Sequence, residues 1–83
     1  MQVRVLFFGV LKDLAGQSSD SLTLPEHATL GDVLAHYQMR IASFGNLSAS
    51  LALSVNQQYA APETELHAGD EIAFLPPVSG GLS

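Results

Sequence analysis

The residues of this sequence arranged for chemistry stand together in the run Leu75-Pro76-Pro77-Val78-Ser79-Gly80-Gly81-Leu82-Ser83. The prolines fix their own φ and hold the residue before them extended, so the chain leaves the preceding element as a stiff arm. The paired glycines carry no β-carbon, which lets a backbone thread a channel too narrow for side chains and lets a carbonyl approach a reacting group closely. A Gly-Gly pair alone also fits a frayed end, but the Pro-Pro stiffener directly after a strand-like run argues against that. No other segment offers comparable chemistry. The absence of cysteine excludes disulfides, Cys-type zinc sites, iron–sulfur ligation and thiol nucleophiles. His27, His36 and His67 are too scattered for a ligand cluster, and no phosphate loop or nucleophile–base pair has a recognisable spacing. A stand-alone enzyme is therefore the reading with least support.

Positioning such an arm falls to one small acidic domain. The chain has 83 residues, 47% of them hydrophobic and 13% charged, with 3 Lys+Arg against 8 Asp+Glu for a net charge of −5. Its longest apolar stretch, Val5 to Leu11, is far short of the ~20 residues that span a bilayer, and no basic leader precedes it. Membrane and secretory readings drop out, and a cytoplasmic location is expected. Nucleic-acid binding needs a positive footprint that this composition lacks. The cations Arg4, Lys12 and Arg40 all lie in the first half, while residues 41–83 carry Glu63, Glu65, Asp70 and Glu71 with no Lys or Arg. Such an acidic surface suits a basic partner protein; it equally suits plain solubility.

The elements follow from periodicity. Gln2 to Phe8 reads as a central strand, with Val3, Val5 and Phe7 on one face and Arg4, Leu6 and Phe8 on the other. Val10 to Ala15 predicts a short helix stopped by a left-handed Gly16. Ser21 to Leu24 predicts a second strand that pairs with the first as a hairpin. Thr29 with Asp32 three residues on has the form of a capping box, and Leu30, Val33, Leu34, Tyr37 and Ile41 follow at helical spacing. This is the main helix. Residues 43–50 are rich in loop formers with two apolar anchors and read as a surface connection. Leu51, Leu53 and Val55 give a third strand, Asn56-Gln57 a tight turn, Gln58 to Ala60 a short strand, Leu66 a lone anchor, and Glu71 to Leu75 the last strand. A mixed sheet with one helix across it accommodates this order.

Four blocks carry a family resemblance: Val5-Leu6-Phe7-Phe8, Lys12-Asp13-Leu14-Ala15-Gly16, Ser54-Val55-Asn56-Gln57, and Gly69 through Pro76-Pro77-Val78-Ser79-Gly80-Gly81. In register over essentially the whole chain, they resemble the small, sulfur-carrier subunit of molybdopterin synthase, the last block most specifically. The resemblance implies an α+β, ubiquitin-like β-grasp fold, with a sheet of four or five strands and one main helix. It divides the chain into a domain over 1–77 and a Gly-Gly tail over 78–83. It implies that this subunit is non-catalytic and binds no cofactor or metal. ATP is used by an adenylating partner that activates the carboxylate of Gly81, which then becomes a thiocarboxylate. The large synthase subunit, in a two-plus-two complex, receives the tail, and cyclic pyranopterin monophosphate receives the sulfur. By position, Gly81 bears the sulfur and Gly80 lets it thread, while Phe7, Leu75, Pro76, Pro77, Val78 and Ser79 form the docking patch. Phe7 and Leu75 read equally well as core. Arg4 and Lys12 are placed either to meet partner carboxylates or simply to be solvated.

One departure from the family pattern is visible. Leu82 and Ser83 follow Gly81 and move the carboxylate by roughly 7 Å, so an activating pocket built for Gly81 would meet a peptide bond. Removal of Leu82-Ser83 by a protease is the expectation. A carrier for another sulfur pathway such as that of thiamine, a ubiquitin-like protein modifier, and a non-enzymatic interaction domain with an inert tail are the alternatives.

Overall fold

The computed structural model describes residues 1–41, 43–47 and 50–76. Five strands form one sheet in the order β2-β1-β5-β3-β4, where β1 is Gln2–Phe7, β2 Ser19–Thr23, β3 Ala52–Val55, β4 Gln58–Tyr59 and β5 Glu71–Leu75. The helices are α1 (Val10–Ala15), α2 (Leu30–Arg40) and the single turn α3 (Phe44–Leu47). All neighbouring strands are antiparallel except β1 and β5, which run parallel at the centre with Val5 opposite Ile72 and Phe7 opposite Phe74. This is the mixed sheet expected of a β-grasp fold, with α2 packed across one face.

Strand alternation decides what that face buries. Val3, Val5 and Phe7 of β1, Leu22 of β2, Leu53 of β3, and Ile72 and Phe74 of β5 are buried with Leu30, Val33 and Tyr37 of α2. Leu11 of α1 and the loop residue Leu66 close the two ends of this core. The main helix begins where its cap requires. Thr29 Oγ1 accepts the Asp32 N–H, and Asp32 Oδ2 accepts the Thr29 N–H. Two further N-terminal donors of the helix, Leu30 N–H and Gly31 N–H, bond the carbonyls of Thr64 and Pro62 at 2.9 and 2.7 Å. A Cβ on Gly31 would stand 3.2 Å from that Pro62 oxygen, so the close approach favours glycine.

The turns obey the residue types. Gly16 closes α1 with φ 75°, and Asn56 and Gln57 take φ 52° and 70° between β3 and β4, as a two-residue hairpin turn demands. Asn56 also ties this turn to the start of β5, donating to Asp70 Oδ1 and accepting from the Glu71 N–H, each at 3.0 Å. The connection at 43–50 departs from the sequence expectation. It contains α3, and Phe44 is fully buried, its ring 5.6 Å from Phe74 and 6.2 Å from Tyr37. The apolar anchor at Phe44 fills the core near the C-terminal end of α2, where the loop composition predicts a surface connection.

Tyr37 holds the helix to the sheet edge through its hydroxyl, which donates to Asp20 Oδ2 at 2.9 Å. Asp20 Oδ1 meanwhile accepts the Ser21 N–H, occupying part of the free edge of β2. Burial, reinforced by the bond to Asp20 and that carboxylate's charge, pushes the Tyr37 hydroxyl well above the ordinary phenol range. A group whose folded-state proton affinity is raised stabilises the fold below its unfolded pKa of about 10 and loses that contribution as pH rises further. Thermal unfolding should therefore show stability falling above about pH 10, with the fall reduced in Tyr37→Phe. Phe44→Ala should cost about 3–5 kcal/mol in denaturant unfolding, where a surface-loop residue would cost under about 0.5.

Candidate functional site

The arm singled out in the sequence departs from the middle of the sheet. β5 lies between β1 and β3, and the chain leaves it through Pro76. Pro76 is half-buried and packs on the turn between β1 and α1: a Cβ on Gly9 would come within 3.0 Å of its Cγ. Gly9 has φ 57° and ψ −135°, a backbone region closed to most side chains, so both its dihedrals and its neighbour call for glycine. The root of the arm is thus seated against the body of the fold. Pro77, Val78, Ser79, Gly80 and Gly81, with Leu82 and Ser83, lie outside the described residues.

Among the residues expected to dock a partner, Leu75 and Pro76 are half-buried, with Leu75 paired to Ala52 on the sheet face opposite α2. Phe7 is corrected. Its side chain is 2% exposed and points into the core, where its ring meets Tyr37 edge-on at 5.1 Å and Phe74 at 6.2 Å. Phe8 is 44% exposed at the same strand end, so the surface aromatic there is the neighbour of the one expected. The signal for this was present in the alternation, which groups Phe8 with Leu6 and Arg4 and groups Phe7 with the buried valines.

The register shows what shares the open face with Leu75. Leu6 stands opposite Ala73, Ala73 opposite Ser54, and Ser54 opposite Tyr59 across β1, β5, β3 and β4. Leu6, Ala73, Leu75 and Ala52 are half-buried and Tyr59 is 79% exposed. The face is small-residued and sparingly polar, and it runs to the root of the arm. Beside it, a hollow of about 300 Å³ is lined by Leu6, Phe8, Gly9, Ser19 and the cations Arg4 and Lys12. A second hollow, about 250 Å³, is lined by Met1, Glu26, His27, Glu65 and His67; there His27 Nδ1 lies 2.7 Å from Glu65 Oε2.

Neither hollow has the form of a catalytic centre. Among the described residues no three of His, Asp and Glu stand close enough to hold a metal ion. His36 lies on α2 with its ring edge-on to Tyr37; burial, then the charge of Arg40, lowers its proton affinity, opposed by Asp20. What the described residues offer is an exit from the middle of the sheet at Pro76 with a sparingly polar sheet face beside it. No helix among the described residues is long and apolar enough to cross a membrane.

Known proteins share both the sequence and the shape. The ThiS family model matches residues 5–81. A molybdopterin synthase sulfur carrier subunit from Chlamydomonas reinhardtii is 31% identical over 83 residues, covering 98% of this chain and 100% of its own. The small archaeal modifier protein 1 of Methanosarcina acetivorans superposes with a TM-score of 0.83 at 26% identity, over 96% of each chain. A chain from the complex of subunits 1 and 2 of the molybdopterin-converting factor of Helicobacter pylori superposes with a TM-score of 0.72 at 28% identity, over 98% of this chain and 100% of that one. With its β-grasp sheet, its chain leaving the sheet centre at Pro76 and a match reaching residue 81, the chain belongs to the ThiS family of ubiquitin-fold sulfur carriers, homologous to the small, non-catalytic subunit of molybdopterin synthase.

Proposed function

We propose that this chain is the sulfur-donating subunit of a molybdopterin synthase and carries its sulfur as a thiocarboxylate on Gly81. The observation that carries the reading is the length of the family match, which runs through Pro76-Pro77-Val78-Ser79-Gly80-Gly81 and not only through the sheet. A carboxylate is a poor acyl donor. The activating enzyme therefore joins it to the AMP of ATP with loss of pyrophosphate, and a sulfur donor then displaces AMP to leave a thiocarboxylate. That soft nucleophile enters the large subunit and gives its sulfur to cyclic pyranopterin monophosphate, two carriers acting in turn within a two-plus-two complex. The chemistry takes place in the cytoplasm. ATP binds the activating enzyme; this chain contributes the tail, with Gly80 giving clearance, and the docking surface formed by Leu75, Pro76, Pro77, Val78 and Ser79.

Leu82 and Ser83 block this route until a processing protease hydrolyses the Gly81–Leu82 bond and frees the Gly81 carboxylate. The likeness to the small archaeal modifier protein 1 favours a second reading, in which the activated Gly81 is amide-linked to a lysine of a target protein. The two share activation and differ in product: conjugates of higher mass in a cell extract mark the second.

The intact mass of the protein isolated from its own cells tests the first reading. A species ending at Gly81, part of it heavier by the exchange of one oxygen for sulfur, is expected; a uniform species retaining Leu82-Ser83 without sulfur overturns it. Deleting residues 80–83 should abolish molybdoenzyme activity in the cell, and an unchanged activity would leave only an inert tail. Phe8 and Phe7 should separate docking from packing. Phe8→Ala is expected to weaken binding to the large subunit about tenfold while costing under about 1 kcal/mol of stability. Phe7→Ala is expected to cost about 3–5 kcal/mol in denaturant unfolding.

A further inference from the structure

β2 is one edge of the sheet, and its hydrogen bonds to β1 show which of its backbone groups are left over. Met1 and Leu24 exchange both backbone bonds, and the Phe7 N–H donates to the Ser18 carbonyl. Between them Val3 stands opposite Leu22 and Val5 opposite Asp20, so the alternation of an antiparallel ladder turns the backbone groups of residues 18, 20, 22 and 24 toward β1. Those of Ser19, Ser21 and Thr23 face the other way, and among the described residues no strand takes them up.

Such an edge is complementary to itself. A second copy laid antiparallel about a twofold axis at Ser21 would set Ser21 against Ser21 and Ser19 against Thr23, every outward donor meeting an outward acceptor. The opposite edge of the sheet offers no comparable template, since β4 is only 2 residues long. What stands in the way on β2 is Asp20. Two residues from the buried Leu22, its half-buried side chain lies on the core face, where Oδ2 accepts the Tyr37 hydroxyl at 2.9 Å. Oδ1 turns back to the edge and accepts the Ser21 N–H at 2.8 Å. The donor at the centre of the possible ladder is therefore taken, and the bond from α2 holds the carboxylate in place. In the paired arrangement each Asp20 would also stand against Leu22 of the second copy, an apolar neighbour that does not replace its water. We infer that Asp20, anchored on Tyr37, keeps the β2 edge from pairing with a second copy of this chain. An inward-pointing charge on an edge strand is a general device against edge-to-edge association. Here the same carboxylate that ties α2 to the sheet closes the one edge long enough to extend it.

Sedimentation equilibrium of the full chain, combined with amide hydrogen exchange, tests this. The wild-type chain should sediment as a monomer, with its Ser21 amide exchanging more slowly than those of Ser19 and Thr23. Asp20→Thr with Tyr37→Phe removes both bonds, leaves no tyrosine hydroxyl unpaired and places a strand-favouring residue on the edge. This double variant should self-associate at least about tenfold more tightly than wild type, and its Ser19, Ser21 and Thr23 amides should slow together as the dimer forms. Tyr37→Phe alone retains the Ser21 bond and should stay monomeric. A folded double variant that remains a monomer overturns the inference. So does association that leaves those three amides unprotected, since the contact then lies elsewhere. Were the double variant not to fold, the wild-type measurement decides: a wild-type dimer, or a Ser21 amide exchanging as fast as its neighbours, overturns the inference.

Discussion

The parallel pairing of β1 with β5 is the constraint on which everything else depends. It sets Val5 against Ile72 and Phe7 against Phe74, so these four buried side chains stand side by side under α2. The same pairing fixes where the chain emerges. Because β5 is flanked by β1 and β3, Pro76 leaves the middle of the sheet and finds the β1–α1 turn beside it, where Gly9 gives it room. The core and the presentation of the tail are consequences of one ladder.

Around that ladder the remaining elements close the core. The capping box at Thr29 and Asp32 starts α2, and the carbonyls of Pro62 and Thr64 take the next two donors, so the long connection before β5 is fastened to the helix it passes. Asn56 and Asp70 fasten the hairpin turn to the same connection. At the other end Phe44 joins Tyr37, Phe7 and Phe74 in one ring cluster. Aromatic pairs of this kind add about 0.5–1.5 kcal/mol each beyond their buried area. In a domain of this size such an increment is a sizeable share of the net stability.

Most of this was legible in the residues, because the signals were local. The alternation of Val3, Val5 and Phe7, the spacing of Leu30, Val33 and Tyr37, the cap at Thr29 and the glycine at Gly16 each reappear in the element they announce. Phe44 was legible as an apolar anchor but not as core, since its neighbours carry a loop composition and its burial is decided by the tertiary packing. Phe7, open in the sequence between docking and core, is decided by the fold in favour of core. The period of two separates Phe7 from Phe8, and the fold decides which of the two faces is buried, turning Phe7 inward and Phe8 outward. The open face of Leu6, Ala73, Leu75 and Ala52 was hidden for another reason. Only the strand order brings those residues together, and no single stretch of sequence contains that order.

The central ladder also governs how the molecule comes into being. Its two strands stand at opposite ends of the described chain, so the core has no lasting form until nearly all of that chain is available to fold. Long-range pairing of this kind slows folding relative to a helical bundle of equal size, since loop closure must precede the contacts that reward it. An incomplete chain would leave β1 paired to β2 alone with its other edge open, a substrate for quality control. In the completed molecule, the strand that finishes the sheet is the one that leads to Pro76, so a seated root reports a finished fold.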